Sequence, residues 1–578
     1  MKKICRFVFV AGLVFCVWRE AFAGRDLYSE TWVATDALGR QLAEYEQCGP
    51  VREGKTVGIF YFLWLGQHGT GGPYDITRLL EANPDDPKWG PPGAFHHWGK
   101  SELGYYLSDS EYAITKHVFM LNDAGIDTLI FDVTNAFTYT KVYLKLCEIY
   151  SRLREQGHQT PQICFIAHSN ARQTIEKIYH DFYEKKLYDD LWFYWKGRPL
   201  ILGDSKDLSE EISEFFTIRD CWAWTHGKDT WQWLDHSENR FGWHESPDKP
   251  EEISVSVAEH PTSNIGRSYQ KSIQPEHNSF ALTGKEHLGL YFAEQWQRAL
   301  KIDPEFVFVT GWNEWVAQRF INKGNQSFLG EVRPEGSSFF VDAYSQEYNR
   351  DIEPMEGGHT DNYYYQLVSN IRRYKGVRKR PVATKDYPIR IDGLFDDWGD
   401  VAPEFRDTIG DTLHRDEPGW GNAGRYVNRT GRNDFEALKV ACDKDNVYFY
   451  ARTSHPITKY TDKNWMLLFI DTDQNHETGW NGYDYLINSE AINSIGTNVC
   501  SLTDTGELKR PVTVHYRYSG NQMEIAVGRS TIGLEQTPLV FDFHWADNIQ
   551  SLDNIIEFAI NGDSAPNRRF NYRFQRED

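Results

Sequence analysis

The sequence predicts an α/β protein in which a (β/α)8 TIM barrel is followed by an all-β sandwich. Residues 56–375 alternate between apolar strands and segments with helical spacing, which is typical of parallel βα units. The predicted strands are apolar throughout, so other elements should cover both faces of the sheet. Beyond about residue 390 the helical spacing ends, and short strands separated by Gly, Asn and Asp indicate a sandwich.

Eight apolar segments supply the predicted barrel strands, and roughly 350 residues fit eight βα units with long loops. In chain order these strands are Thr56–Leu65, Ile126–Val133, Ile163–Ala167, Leu200–Gly203, Thr217–Trp224, Ile253–Ala258, Phe306–Thr310 and Phe339–Val341. A doubly wound open sheet is the alternative architecture. It is disfavoured because no glycine-rich phosphate-binding fingerprint follows the first strand.

The helices are predicted from their boundaries and their periodicity. Ser108 and Glu111 have the spacing of a capping box, and apolar residues then recur at helical spacing until Gly125 ends the helix. The same spacing predicts a helix over Tyr291–Leu300 between the sixth and seventh strands.

The second domain is predicted to begin after a basic segment near residue 380 that breaks the periodicity. Its predicted strands are Leu438–Ala441, Val447–Arg452, Trp465–Ile470, Val512–Tyr518, Met523–Val527 and Ile555–Ile560. We therefore expect the barrel at 24–378, a linker at 379–386 and the sandwich at 387–578.

Residues 1–23 have the pattern of an export signal. Lys2, Lys3 and Arg6 precede an apolar run that is too short for a membrane anchor, and the segment ends in an A-x-A cleavage pattern before Gly24. We expect cleavage there and a periplasmic or extracellular protein. No later run is long and apolar enough to span a membrane.

Composition and charge restrict the partners. The net charge of −21 argues against nucleic acid and against an anionic membrane surface, because both require a basic face. The 20 Trp offer flat faces that can stack on sugar rings, although most of them should pack in the core. We therefore expect a carbohydrate as the partner, and no pattern indicates an oligomeric state.

The cysteines do not predict a zinc site. None of the six beyond the signal lies in a CxxC pair or beside a tight His cluster. Cys147 and Cys164 lie in apolar stretches and should be buried thiols. The sequence leaves open whether Cys442 and Cys500 form a disulfide.

Polar and aromatic residues near the ends of the predicted strands are the candidates for a site, because barrel strands converge at their carboxyl ends. The predicted substrate-binding residues are Trp64, His68, His97, Trp98, His168, Trp224, Glu259, Trp312, Asn313 and Trp315. The set is acidic and aromatic and contains no Ser-His-Asp arrangement. Glycosidic cleavage requires this mixture, since one carboxyl must be protonated and another ionised.

Glu314 is the strongest single candidate for catalysis. It lies between Trp312 and Trp315, and burial against indole raises the pKa of a carboxyl because the charged form loses its water. The alternative is that Glu314 caps the start of a helix. For Asp132, at the end of the second predicted strand, capping of the next helix is likewise the alternative.

Three segments of the barrel resemble glycoside hydrolase family 99 and its relatives, family 71 and the WbsX-like proteins. They are GIFYFLW, ELGYYLSDSEYAITKHVFMLNDAGIDTLIFD and VFVTGWNEW, which occur in order along the barrel. The resemblance implies a (β/α)8 fold and a secreted retaining glycosidase that requires no cofactor. In that family the Glu of the last motif acts as a base on the 2-hydroxyl of the sugar, and a second Glu three positions later is the acid.

The resemblance places the first role on Glu314 and the second on Ala317, which cannot carry a proton. The carboxylates that could replace the missing acid are Glu347, Asp351 and Glu353, followed by Asp132 and Glu259. Of these, Asp132 and Glu353 join Glu314 in the predicted catalytic set.

The second domain resembles a family 9 carbohydrate-binding module. The similar segments are IRIDGLFDDWGDV, NVYFYART and LLFIDTDQNHETGWNGYDYLIN. Within the last segment, Asp471, Asp473 and Asn475 have the alternating spacing of oxygen ligands in a calcium loop, and a polar β-turn with solvated acids is the alternative.

Two functions remain open from the sequence. The first is a secreted glycoside hydrolase that cleaves a polysaccharide or complex glycan, with Glu314 as a key carboxylate. The second is a non-catalytic glycan-binding protein, in which the barrel has kept its cleft but lost its acid.

Overall fold

The computed structural model describes residues 25–260, 263–271, 273 and 284–577. They form a barrel-like mixed sheet and a separate antiparallel sheet. The predicted signal peptide at 1–23 lies outside the described residues, and the division of the chain at 379–386 stays a prediction. Across the described residues, no helix has both the length and the apolar character needed to cross a membrane.

Eight parallel strands make up most of the eleven-stranded barrel-like sheet and are named β1 to β8 in chain order. They are β1 Thr56–Tyr61, β2 Thr128–Asp132, β3 Gln162–Ile166, β4 Arg198–Leu202, β5 Thr217–Trp222, β6 Thr230–Gln232, β7 Glu252–Ser256 and β8 Phe306–Trp312. Their order in the sheet is β6-β5-β4-β3-β2-β1-β8-β7, so each strand from β1 to β5 pairs with the next in the chain, and β8 pairs with both β7 and β1. A singly wound parallel barrel has this order.

The seam between β6 and β7 is closed by side chains rather than by a backbone ladder. The backbone N–H of Gln232 donates to Glu252 Oε2 at 2.8 Å, and the N–H of Ser254 donates to Gln232 Oε1 at 3.2 Å. Elsewhere apolar side chains fill the interior. A Cβ at Gly58 would lie 2.5 Å from the ring of Phe306, so glycine makes room for that ring.

The prediction of the eighth strand at Phe339–Val341 is wrong. Residues Ser338–Phe340 pair instead with Val316–Ile321 in a small sheet that also contains Tyr74–Asp75 and Phe95–His97. The barrel strand that the sequence did not indicate is β6, because it has only three residues and one of its two buried side chains is the polar Gln232. Three consecutive apolar residues, as at Phe339–Val341, therefore do not identify a barrel strand.

Helices cover the outside of the barrel-like sheet between most of its strands. The longer ones are Glu111–Asp123, Thr140–Glu155, Ala171–Ile178, Leu290–Ile302 and Asn362–Lys375, with short helices at Tyr45–Cys48, Ile76–Ala82 and Glu210–Phe215. The predicted end at Gly125 is confirmed by its left-handed φ of 83°. The predicted cap is shifted, since Ser110 rather than Ser108 accepts the N–H of Ala113.

The second domain is built on one antiparallel sheet. In sheet order its strands are Glu404–Arg406, Phe435–Cys442, Asn446–Thr453, Gln522–Gly528, Leu508–Ser519, Gly496–Leu502, Tyr485–Ala491, Leu467–Asp471, Leu539–Asp547 and Asp563–Ala565, with Tyr572–Arg576 also on Leu539–Asp547. The predicted strand at Ile555–Ile560 is wrong: Glu557–Ile560 is a short helix, and Phe558 packs on His544. A short apolar run does not by itself distinguish strand from helix.

The described cysteines carry free thiols. Cys147 and Cys164 are buried, as predicted, and Cys442 and Cys500 are separate buried thiols, so the open possibility of a disulfide between them is not realised.

The two sheets share a packed interface. Phe570 of the second domain packs on Trp32 and on Tyr365, with ring centroids 5.4 and 5.1 Å apart. Glu417 accepts the N–H groups of Glu111 and Tyr112 at 2.9 and 3.2 Å, so a carboxylate of the second domain caps a helix of the barrel. This contact fixes the orientation of the two parts.

Candidate active site

The candidate site lies where the carboxyl ends of β1, β2 and β8 meet. Asp132 is the last residue of β2, and Glu314 follows β8 by two positions. The turn that presents Glu314 is held by Asn313, which has a φ of 60°. Its side chain accepts the N–H of Phe62 at 2.8 Å and donates to the carbonyl of Phe62 at 3.0 Å, which ties the ends of β8 and β1 together.

Arg350 joins the two sides of the site. Its Nη2 donates to both carboxylate oxygens of Glu314, at 2.8 and 3.0 Å, and its Nη1 donates to the backbone carbonyl of Asp342. The guanidinium lies 5.0 Å from the ring centroid of Trp233 and has no exposed surface. One buried cation therefore fixes Glu314 relative to the segment that carries Asp342.

Glu314 is almost completely enclosed. Only 6% of its side-chain surface is exposed. Burial raises the pKa of Glu314 to about 8: Arg350 acts in the opposite direction, while Asp342, Asp132 and Asp351 add to the rise. The carboxyl is therefore mostly protonated at neutral pH, which is the state expected of a proton donor.

Asp342 has the opposite character. Fully 45% of its side-chain surface is exposed, and His260 Nε2 lies 3.7 Å from its Oδ1. Partial enclosure by the protein opposes ionisation, but His260 and the charge of Arg350 outweigh it, so the pKa of Asp342 is lowered. Asp342 is thus an accessible, ionised carboxylate beside a protonated one.

Asp132 completes the acidic group. Its Oδ2 accepts Trp64 Nε1 at 3.1 Å, and its Oδ1 accepts the N–H and hydroxyl of Thr134 at 3.0 and 2.7 Å. Burial raises its pKa, and the nearby charge of Asp342 adds to the rise. Asp132 orients the indole of Trp64, and it caps the turn after β2 rather than a helix.

Aromatic side chains surround the acidic group on the β1–β2 side. The ring of His68 packs edge-on against Trp64 and Phe137, with centroids 5.4 and 5.1 Å apart. His68 Nε2 lies 2.7 Å from the hydroxyl of Tyr139. Of the predicted residues, the half-buried Trp64 and the exposed His68 are therefore available to a ligand.

A second aromatic group follows β3 and β5. His168 is exposed and stacks on Trp222 with centroids 3.5 Å apart, and Trp222 stacks on Trp233 at 4.9 Å. Trp224 is 40% exposed. His168 and Trp224 were predicted to bind substrate, and both are accessible; whether they contact one stays a prediction.

Four other predicted binding residues lie behind the site. Trp98 and Trp315 stack on each other with centroids 4.5 Å apart, and Trp98 Nε1 donates to the carbonyl of Glu314 at 3.0 Å. Trp312 and His97 are also buried. None of these rings has an exposed face on which a sugar could stack. They therefore support the turn that carries Glu314.

Glu353 and Glu259 are buried and held by neighbouring side chains. Glu353 accepts Ser101 Oγ, Tyr106 Oη and Trp315 Nε1, each at 2.6 Å, so its lone pairs are engaged in packing the loops behind Glu314. Glu259 accepts Tyr291 Oη at 2.6 Å and lies 2.7 Å from His236 Nδ1. The structure does not bring either carboxyl to the accessible side of the site.

The predicted calcium loop brings two of its predicted ligands together. Asp471 and Asp473 each offer a carboxylate oxygen to one group, and Asp484 adds a third carboxylate that was not predicted. Asn475 Oδ1 accepts the N–H of Glu477 at 3.1 Å within the turn. The oxygen donors suit calcium, and its binding here stays a prediction.

A broad cleft of about 630 Å³ lies at the opposite end of the barrel strands, beside Asp127, Gln162 and Lys375. It contains none of the carboxyls described above. Barrel enzymes place their reacting groups at the carboxyl ends of the strands, so the group around Glu314 is the better candidate site.

Sequence reasoning missed Arg350 and did not place Asp342 in the catalytic set. Arg350 lies in an irregular acidic segment without periodicity, so nothing in the sequence marks it as buried. Asp342 follows Phe339–Val341, which was predicted as a barrel strand and lies instead in the small sheet. The sequence does contain one chemical signal for Arg350. It is a single arginine among the acidic residues Glu347, Asp351 and Glu353, close to the predicted end of the barrel.

Comparisons with known proteins give structural matches only. No family model and no curated protein matches the chain. It is similar to two solved structures of the GH99 endo-alpha-mannosidase from Bacteroides thetaiotaomicron, each covering 56% of this chain and 98% of that chain. The structure with BIS-TRIS-Propane is 14% identical with a TM-score of 0.32, and the other is 12% identical with a TM-score of 0.30.

The architecture itself rests on the strand order described above. The resemblance of the second domain to a family 9 module stays a prediction.

Proposed function

We propose that the protein is a glycoside hydrolase whose reacting groups are Glu314 and Asp342, at the mouth of a (β/α)8 barrel. One observation carries this proposal: Arg350 binds the carboxyl of Glu314 and the backbone carbonyl of Asp342, and the carboxyl pKa values of these two residues are displaced in opposite directions. Glycosidic cleavage requires such a pair, and divergent environments assign the acid and the base.

In the proposed reaction, Glu314 gives its proton to the oxygen of the leaving sugar as the glycosidic bond breaks. Asp342 attacks the anomeric carbon and forms a covalent intermediate. Glu314, now ionised, takes a proton from water, whose oxygen displaces Asp342 and leaves a hydroxyl on the anomeric carbon. The anomeric configuration is retained, in agreement with the sequence-based expectation.

The remaining residues bind and position in this proposal. Arg350 is a positioning residue that holds Glu314 and stabilises negative charge on it after proton transfer. Trp64, His68 and Trp224 offer accessible ring surface to a sugar, which suits a carbohydrate substrate. Residues 1–23 support export to the periplasm or beyond, and the second domain is proposed as a carbohydrate-binding module.

Turnover on a panel of plant, algal and fungal polysaccharides tests the proposal. Glu314→Gln and Asp342→Asn are isosteric changes and should each lower the release of reducing ends by about 100-fold or more. Asp204→Asn is the matched control, since Asp204 also follows a barrel strand and is exposed. If Glu314→Gln retains the wild-type rate, Glu314 is not part of the mechanism. The anomeric configuration of the first product can be determined by ¹H NMR.

A non-catalytic glycan-binding protein is the second candidate, and Ala317 favours it. Ala317 is buried opposite His96 in the small sheet, so no carboxyl can reach the cleft from the position of the family acid. This function predicts binding without turnover across the whole panel. It also predicts that Glu314→Gln leaves the Kd of any bound glycan unchanged.

A further inference from the structure

A second acidic group lies in the β domain, beside the interface with the barrel. Asp407 follows the strand Glu404–Arg406, Asp411 lies four residues further on, and Asp563 begins a short strand. Each contributes a carboxylate oxygen, and these oxygens all lie within 4.8 Å of one another. All three residues are buried, and Asp407 has no exposed surface.

The carboxylate of Asp407 is unpartnered. Among the described residues, neither of its oxygens has a hydrogen-bond partner, and Asp411 Oδ1 also lacks one. A buried carboxylate without a partner is costly, and buried polar groups in folded proteins are almost always satisfied. Three carboxylates this close to one another add mutual repulsion to that cost.

The third carboxylate has a fixed orientation. Asp563 Oδ2 accepts the N–H of Phe435 at 2.6 Å, and its Oδ1 accepts the N–H of Ser564 at 2.9 Å. Asp434, which lies nearby, has both oxygens engaged, by the N–H of Gly410 at 2.8 Å and by Ser454 Oγ at 2.6 Å. The backbone therefore holds the group in place without neutralising it.

The protein cations beside this group bind its carbonyls and not its carboxylates. Lys116 Nζ donates to the backbone carbonyl of Asp411 at 3.3 Å. Arg25 Nη1 donates to the backbone carbonyl of Asp407 at 3.1 Å. One carboxylate oxygen of each residue therefore lies within 4.8 Å of the others, and none of the three carboxylates forms a direct ion pair within the described part of the chain.

We propose that Asp407, Asp411 and Asp563 form a calcium site. Carboxylate oxygens are the ligands that a hard divalent cation prefers, and the absence of His and Cys from the group disfavours zinc. Calcium accepts several carboxylates in an irregular arrangement, whereas magnesium demands near-octahedral geometry and keeps its water. The site is separate from the group of Asp471, Asp473 and Asp484.

The position of the site gives the cation a structural role. The loop at 407–411 and the strand at 563–565 both face the helix Glu111–Asp123 of the barrel. Lys116 of that helix contacts Asp411, and Asp123 accepts Asn567 Nδ2 at 3.0 Å. Calcium would therefore fasten the part of the β domain that packs on the barrel, independently of any turnover.

The test compares two forms of the full chain. Asp473→Asn serves as the background, because it takes one of the three carboxylates from the other acidic group, and Asp407→Asn is added to it. Both proteins are stripped with a chelator, dialysed against calcium, and measured for bound metal by mass spectrometry and for Tm. The background should retain one calcium and gain about 2–5 °C at calcium 100-fold above its Kd, and the double variant should retain none and gain nothing.

Three outcomes would overturn the proposal: no calcium in the background, equal calcium in both forms, or an equal gain in Tm from magnesium at the same concentration. Asp→Asn preserves shape, so the double variant should fold. If circular dichroism shows that it does not, Asp411→Asn replaces Asp407→Asn in the same comparison and is judged by the same outcomes.

Discussion

The pH dependence of turnover follows from the two displaced pKa values. The active form has Glu314 protonated and Asp342 ionised. Because the pKa of Glu314 is raised to about 8, kcat/KM should fall about tenfold per pH unit above that value. Because the pKa of Asp342 is lowered from 3.8, the acidic limb should lie below that value, which leaves a plateau between about pH 5 and pH 7.

Replacing Arg350 by Met should move both limbs in the same direction. Arg350 favours the ionised form of both carboxyls, so its loss raises both pKa values. A nearby opposite charge of this kind lowers the pKa of a carboxyl by about 1–3 units, so its loss should move the alkaline limb up by about that amount.

The assay is kcat/KM from pH 4 to pH 10 on whichever polysaccharide of the panel is cleaved fastest, with folding checked at each pH. Arg350→Lys is the matched control, since it keeps a positive charge and should move the limb less. If the alkaline limb of Arg350→Met stays at the wild-type position while activity falls equally at all pH values, Arg350 does not tune Glu314 and the reasoning fails.

Three further predictions concern stability and binding. Glu417→Gln should lower the free energy of unfolding in urea by about 1–2 kcal/mol, because the helix cap loses its charge. The control Glu507→Gln, at an exposed position, should change this free energy little. Equal losses in the two variants would contradict the capping role of Glu417. Asn313→Ala should cost about 2–3 kcal/mol through two lost hydrogen bonds and a left-handed φ, and an unchanged urea midpoint would argue against the turn. Trp224→Ala should raise KM and change the free energy of unfolding by less than about 0.5 kcal/mol, because Trp224 is exposed. Trp98→Ala, at a buried position, should lower the free energy of unfolding by about 3–5 kcal/mol. The reverse pattern would mean that Trp98 contacts the substrate and Trp224 supports the fold.

The regular part of the barrel was predictable because its signal is local. β1, β2, β3 and β8 are continuous apolar runs, and the helix after Ser110 has a cap, a period and a terminating glycine. β6 was not predictable, because a three-residue strand closed by the side chain of Gln232 has no pattern of its own. The triplet at 338–340 has a strand pattern, but its partner lies outside the barrel.

The site was predictable only in part, for the same reason. The position of Glu314 follows from a motif at a strand end, whereas its raised pKa depends on long-range burial. The ion pair with Arg350 joins residues 36 positions apart. The sequence also cannot distinguish a packed Trp98 from an accessible Trp224, since both are indoles in polar loops and only the folded chain decides which face is covered.

A titration of Glu314 without substrate tests the central claim most directly. With ¹³C-labelled glutamate, the carboxyl signal that is present in the wild type and missing in Glu314→Gln can be followed from pH 4 to pH 10. A midpoint near pH 8 is predicted, with the group protonated at neutrality. A midpoint at or below the ordinary value of 4.5 would mean that Glu314 is simply the ionised partner of Arg350 and has no proton to give.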